Sequence, residues 1–257
     1  MALESASTNC HGCRPPLFIA KTSAQNIAML NAYGATVEVV TEPDPQTHEY
    51  LAARLHRVRE LLSSIPHSYW PNQYANPLNP LAHEQTMREI ADALGGRVDY
   101  LFSATSTMGT LRGCFAYIRR SGLDTTTVAV DAVGSALFRT PAEGVRLLPG
   151  HGASIRPELF NPAAANHVVH VTDLDCVVGC RRLMAREAIL AGASSGGTVM
   201  ALEKLRAEIP AGAVCVLIFP DGGDRYLETV YSDAWVTSNF GEVSHLWKQS
   251  DGEATQC

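Results

Sequence analysis

The chain has 257 residues, 46% of them hydrophobic and 18% charged, a balance that describes a globular protein and not a disordered one. Its formal net charge of −6 leaves no basic footprint, which argues against nucleic acid or an anionic membrane as a partner. Met1–Pro16 is polar and Pro-containing, without the apolar segment of a signal peptide, and the longest apolar run, Ala213–Phe219, is far too short to cross a bilayer.

In chain order, Met1–Pro16 reads as a disordered start. Its Cys10-x-x-Cys13 pair is either a loose pair of thiols or, with no second ligand pair in sight, an isolated hint of metal or redox chemistry. Ser23–Tyr33 reads as a helix closed by Gly34, Ala35–Val40 as a strand, and Pro45–Leu62 as a second helix. Ser68–Trp70 is a short strand candidate before the Asn/Pro-rich loop Pro71–Pro80, and Leu81–Leu94 is a helix ended by Gly95-Gly96. Strand Val98–Phe102 then leads through a loop of small hydroxyl residues into helix Leu111–Arg120. Strand Thr126–Ala132, an irregular Gly/Pro-rich stretch from Gly134 to Asn166 and strand His167–Val171 follow. Helix Asp173–Ala188, with Asp173 as its expected cap, is followed by helix Ser195–Glu208, strand Val214–Phe219 and a polar tail, Glu242–Cys257.

Apolar strands alternating with helices predict an α/β architecture, a mostly parallel twisted sheet covered by helices on both faces. Ligands of such sheets gather at the carboxyl ends of strands, which places Thr105–Thr110 and Pro220–Asp224 on one rim. The expected organisation is residues 1–16 as a disordered start, 17–75 as the remnant of a small α/β domain, 76–241 as a large α/β domain and 242–257 as a flexible tail. The seven cysteines are scattered along the chain, several of them in predicted helices or strands; there a buried free thiol is the ordinary reading, which suits the cytoplasm.

The chemistry concentrates in Val98–Gly113. A helix that opens directly after a strand offers backbone N–H groups with no intrahelical partner and a partial positive charge. A phosphate fits there, with Gly109 admitting a close approach and the hydroxyls of Ser106, Thr107 and Thr110 adding donors. From these residues alone, a strand-to-helix turn in which Ser106 or Thr107 merely caps the helix is the competing reading. A nicotinamide-binding Rossmann site is disfavoured, because no G-x-G-x-x-G follows an early strand.

Four separated segments carry a resemblance. Asn72–Pro80 (NQYANPLNP), Thr105–Gly113, Glu187–Gly196 (EAILAGASSG) and Phe219–Tyr226 (FPDGGDRY) resemble, in order and spacing, the cysteine synthase relatives among the fold type II pyridoxal-phosphate enzymes. Within them the Ala-Thr-Ser-Thr-Met-Gly-Thr-Leu-Arg-Gly loop is most similar to the 2,3-diaminopropionate biosynthesis branch, the N-(2-amino-2-carboxyethyl)-L-glutamate synthases. The resemblance spans roughly Lys21 to Phe240 and implies a tryptophan synthase beta-like fold, N-terminally incomplete, with pyridoxal 5'-phosphate as cofactor. It implies a small-molecule amino-acid substrate and a homodimer.

It also implies roles. Ser106, Thr107, Met108, Gly109 and Thr110 match the loop around the cofactor phosphate, Met108 standing where many relatives have glycine. Gln73 matches a glutamine that helps hold the substrate carboxylate. Ser194-Ser195-Gly196 matches a helix start beside the cofactor pocket, and Gly222 the position from which cysteine synthases direct a serine at the pyridine nitrogen. A water, a neighbour such as Asp221, or nothing takes that serine's place. Arg112 and Arg156 are candidates for a substrate phosphate, or ordinary surface arginines. The implied activity is β-replacement on an activated serine such as O-phosphoserine, with glutamate or another nucleophile.

Such chemistry needs a lysine Schiff base, and the chain holds three lysines, Lys21, Lys204 and Lys248. None matches the family's Schiff-base position, and the Ser-Gly-Asn substrate loop has no match. The chain therefore reads as beginning late, with two outcomes open: a β-replacement enzyme, or a non-catalytic relative that keeps a phosphate site.

Overall fold

A computed structural model describes residues 16–18, 24–46, 50–138 and 146–248. The chain divides into two compact units, residues 2–76 and 77–257.

In the first unit, β1 (Pro16–Phe18) pairs in parallel with β2 (Thr36–Glu38), joined through α1 (Ala24–Ala32), and α2 (Tyr50–Ser64) follows. Leu30 is the buried centre of a small cluster with Ile27, Ala35 and Val37. Arg57 on α2 reaches Glu38 on β2 at 2.6 Å. Pro16 thus belongs to a strand, and Met1–Pro15, including the Cys10/Cys13 pair, lies outside the described residues. The short strand expected at Ser68–Trp70 is not formed. Pro71 follows it directly, and positive φ values at His67 (59°) and Asn72 (37°) turn the chain on either side.

The second unit is built on four parallel strands in the order β5-β4-β3-β6: β3 (Tyr100–Ala104), β4 (Thr126–Ala132), β5 (His167–Val171) and β6 (Cys215–Leu217). Side chains alternate across it. Leu101 faces one side with Met87, Cys114 and Ile118 of α3 (Leu78–Ala93) and α4 (Gly109–Ser121). Phe102, Val128, Val130 and Val171 face the other with Cys176, Val177, Ala193 and Ala201 of α5 (Asp173–Glu187) and α6 (Ala193–Leu205). This is the parallel sheet with helices on both faces that the alternation predicts. The final helix, α7 (Asp233–Phe240), adds Val236 to the second cluster.

Helix starts depart from the sequence reading in instructive ways. α3 begins three residues early, because Pro77 and Pro80 sit in or before its first turn, where a missing N–H costs nothing. The cap of α5 is Thr172, not Asp173: its hydroxyl accepts from Asp175 N while Asp175 answers to Thr172 N, a reciprocal capping box. Asp173 instead accepts from Leu147 N and Leu148 N, tying down the irregular segment before it. No helix among the described residues is long and apolar enough to cross a membrane.

Candidate functional site

β3 ends at Ala104, and the chain runs through Thr105–Met108 into α4. Thr105 is buried and anchors the loop, donating from N to Val130 O (2.9 Å) and from Oγ1 to the same oxygen (3.2 Å). Asp131 lies behind it, fully buried. Its carboxylate accepts from Ala132 N (2.9 Å) and Phe138 N (3.2 Å), and burial pushes its pKa up. The sequence reading missed Asp131; an acidic residue inside the apolar strand Thr126–Ala132 was the available signal.

The N-cap of α4 is Met108, which makes no side-chain cap hydrogen bond. Thr107 Oγ1 accepts from Asn79 Nδ2 at 3.3 Å and from one first-turn amide, Gly109 N, at a long 3.5 Å. Among the described residues that long bond is the one side-chain contact to the first-turn amides, and no acidic residue in the first turn offsets their charge. Met108 takes the left-handed conformation (φ 69°) and is 2% exposed, its side chain packed with Leu111, Ala129, Leu137 and Ala153. Ser106, Thr107 and Thr110 are half-buried around the turn.

α6 points a second N-terminus at the same rim. Its N-cap is Gly192, without a side-chain cap, and no acid occupies its first turn. Ser194 and Ser195 lie in the first turn of α6, the helix start expected of them, their hydroxyls buried with no partner among the described residues. Gly150 approaches this start closely: a Cβ there would lie 3.7 Å from Ser194 Oγ and 3.4 Å from Tyr226 Oη. The neighbouring His151 is 3% exposed, with Nε2 3.5 Å from Cys176 Sγ and Nδ1 unpartnered. Burial chiefly, with Arg146 nearby, lowers its pKa to about 4, so the ring is neutral at physiological pH.

The turn after β6 closes the rim. Gly222 is exposed and bridges Ala191, just before α6. Asp221 Oδ2 accepts from Arg225 Nη2 (2.8 Å) and Tyr226 Oη (3.0 Å), while Oδ1 is buried without a partner. β3 and β6 are neighbours in the sheet, so the Ser106–Thr110 loop and the Gly222 turn leave adjacent strands on the same side.

Arg112 sits on α4 one turn past the loop and donates to Leu159 O (3.2 Å). Arg156 donates to Leu137 O (3.1 Å) and stacks over Phe160 at 4.6 Å. Arg146 donates to His151 O and Ser154 Oγ, each at 3.1 Å. All three guanidiniums rest on neutral acceptors. Gln73 belongs to the other unit, half-buried in a turn where Ala75 N and Asn76 N return to Asn72 O. Of the lysines, Lys21 lies outside the described residues. Lys204 Nζ is held by Asp175 (2.7 Å) and His170 O (3.1 Å), and Lys248 is exposed.

The family model for pyridoxal-phosphate-dependent enzymes matches residues 10–221. The chain belongs to that family. Its structure is similar to an O-acetylserine-dependent cystathionine beta-synthase from Helicobacter pylori, at 26% identity over 84% of this chain and 71% of that one, with a TM-score of 0.75. O-ureido-L-serine synthase is similar at 26% identity over 87% and 72% of the two chains, TM-score 0.76. A hydrogen sulfide-producing enzyme from Fusobacterium nucleatum is similar at 27% identity over 82% and 71%, TM-score 0.74. The fold is that of the cysteine synthase-like fold type II enzymes, and the cofactor is pyridoxal 5'-phosphate.

The residues present fit that cofactor. An uncapped, unneutralised helix start rimmed by hydroxyls suits a phosphate dianion. Ser194 Oγ, Ser195 Oγ, His151 Nδ1 and Asp221 Oδ1 are buried polar atoms left without partners, each of which costs stability unless a bound group or water satisfies it.

Proposed function

We propose that this chain is a synthase of the β-replacement type acting on an activated serine such as O-phosphoserine. Glutamate is the favoured nucleophile and 2,3-diaminopropionate biosynthesis, for a siderophore or another secondary metabolite, the setting. The Cβ–O bond of the substrate breaks, a Cβ–N bond to the glutamate amine forms, and phosphate and one proton leave. Bound pyridoxal phosphate would supply the electron sink at the substrate α-carbon.

The observation that carries the reading is the open, uncapped start of α4. Ser106, Thr107, Met108, Gly109 and Thr110 hold the cofactor phosphate through backbone N–H groups and hydroxyls. Gly222 lets the ring end of the cofactor lie against backbone, and Gln73 holds the substrate carboxylate. Arg112 takes an acidic group of the substrate or nucleophile: its guanidinium already rests on a carbonyl and keeps donors for an oxyanion. The similarity to synthases that act on O-substituted serines supports the class of reaction. A cytoplasmic homodimer completes the reading.

One observation favours a second reading, a relative that holds the cofactor without bonding to it covalently. Of the described lysines, Lys204 is committed to Asp175 and Lys248 is exposed. Two experiments separate the readings. Borohydride reduction of the protein mixed with pyridoxal phosphate, followed by peptide mass spectrometry, locates any lysine adduct. Incubation with O-phosphoserine and glutamate, followed by mass spectrometry of the products, tests turnover. An adduct with product supports the synthase, binding with neither supports the second reading, and absence of cofactor binding refutes both.

A further inference from the structure

The wall behind the phosphate loop is the first two turns of α3, and it meets the loop through two side chains four residues apart. Asn79 Nδ2 donates to Thr107 Oγ1 at 3.3 Å, and His83 Nε2 lies 3.2 Å from Thr110 Oγ1. The facing residues of α4, Gly109 and Gly113, are also four apart. A Cβ on Gly109 would overlap the Asn79 amide, and one on Gly113 would overlap Pro80 O and lie 2.7 Å from His83 Cβ. Residues spaced by four share one helix face, so an Asn-x-x-x-His stripe lies against a Gly-x-x-x-Gly stripe. Cys114 Sγ closes the contact by donating to His83 O at 3.6 Å.

From this contact we infer that His83, with Asn79 beside it, is a positioning residue for the phosphate loop, acting by fixing where the Thr110 and Thr107 hydroxyl protons point. A hydroxyl is one donor with two acceptor lone pairs. Thr107 Oγ1 accepts from Asn79 Nδ2 and, weakly, from Gly109 N, which turns its own O–H outward. His83 does the same for Thr110. Its Nδ1 lies 3.2 Å from Thr86 Oγ1; with the Thr86 hydroxyl donating there, the ring proton sits on Nε2 and is given to Thr110 Oγ1. Thr110 O–H is then free to donate to an anion. Burial lowers the pKa of His83 and keeps the ring in the neutral state in which one nitrogen accepts and the other donates.

This assignment rests on the phosphate-loop reading above and is tested on the full chain. Pyridoxamine 5'-phosphate is the probe, since it has no aldehyde to react with a lysine, and pyridoxamine is the phosphate-free control. Fluorescence titration should show His83→Ala and Thr110→Val each weakening the phosphorylated probe about tenfold, the scale of one hydrogen bond to a charged acceptor. The double variant should be no weaker than Thr110→Val alone, since His83 acts through that hydroxyl. His83→Gln, whose amide nitrogen can still donate to Thr110, should recover most of the affinity, and binding of pyridoxamine should not change. Additive losses in the double variant, or no rescue by glutamine, would overturn the role of His83 while leaving the loop intact. Absence of probe binding by the wild-type chain overturns the loop reading and this assignment with it.

Discussion

Met108 is the residue at which strain and packing can be weighed against each other. It occupies a left-handed conformation, φ 69°, which costs a non-glycine residue roughly 1–2 kcal/mol. Many relatives have glycine at this point of the loop, and Met108→Gly would release that strain. The side chain, however, is 2% exposed and packs with Leu111, Ala129, Leu137 and Ala153. Removing a buried methionine side chain costs about 2–5 kcal/mol through lost transfer energy and the cavity left behind. At mid-range packing wins, and Met108→Gly should destabilise the protein by about 2 kcal/mol, the two ranges differing by about 0–4 kcal/mol. Met108→Leu, which keeps most of the volume, should cost less than about 1.5 kcal/mol. Urea unfolding followed by tryptophan fluorescence measures both. With the loop holding phosphate through its backbone as proposed, affinity for pyridoxamine 5'-phosphate should change less than twofold in the leucine variant. A glycine variant as stable as wild type, or more so, would show that strain at Met108 outweighs its packing and would refute the argument.

Three further outcomes follow from the same geometry. The pKa of His151 is about 4 in the fold against an ordinary 6.5, so the unfolded chain takes up the proton first. Stability should be complete above pH 6.5 and fall as the pH drops towards 4, by up to about 3 kcal/mol; His151→Phe should flatten that part of a stability–pH curve, and an unchanged acid slope would contradict it. Gly113→Ala forces α3 and α4 apart at Pro80 O. Overpacking of about 1–3 kcal/mol, against a gain in helix propensity of about 1 kcal/mol, should leave it net destabilised and weaker for phosphate, where a stabilised variant in a thermal melt would exclude the clash. Gly196→Ala places a Cβ against Cys176 O, where α5 and α6 touch, and should lower the melting temperature by several degrees for a unit of this size. A scanning calorimetry trace identical to wild type would show that the two helices can part freely.

Much of the second unit was legible in the sequence because its signals are local. β-branched and apolar runs marked Val98–Phe102, which forms two residues later as Tyr100–Ala104, and Thr126–Ala132 and His167–Val171, and their alternation with helices announced a parallel sheet. The strand–loop–helix around Ser106–Thr110 was legible because a strand, a run of hydroxyls and a helix follow one another without interruption. Helix starts were less so. Asp173 looked like a cap, yet Thr172 holds that position, since Asp173 was drawn to the Leu147–Leu148 amides from another segment. Ser68–Trp70 had strand residues but no neighbouring strand to pair with.

The sequence by itself determined the class of fold, the family and the chemical character of the loop from Ser106 to Thr110. Each depends on residue types at short spacing, which a linear chain displays directly. The tertiary structure alone decided that the start of α4 is uncapped and that His83 and Asn79 stand behind its hydroxyls. It also decided that four buried polar atoms on the rim lack partners among the described residues. Those features join residues tens of positions apart, and they exist only once packing has brought the helices together and excluded water. A capped helix and an open anion site can share one sequence pattern; which of them forms depends on the partners that packing supplies.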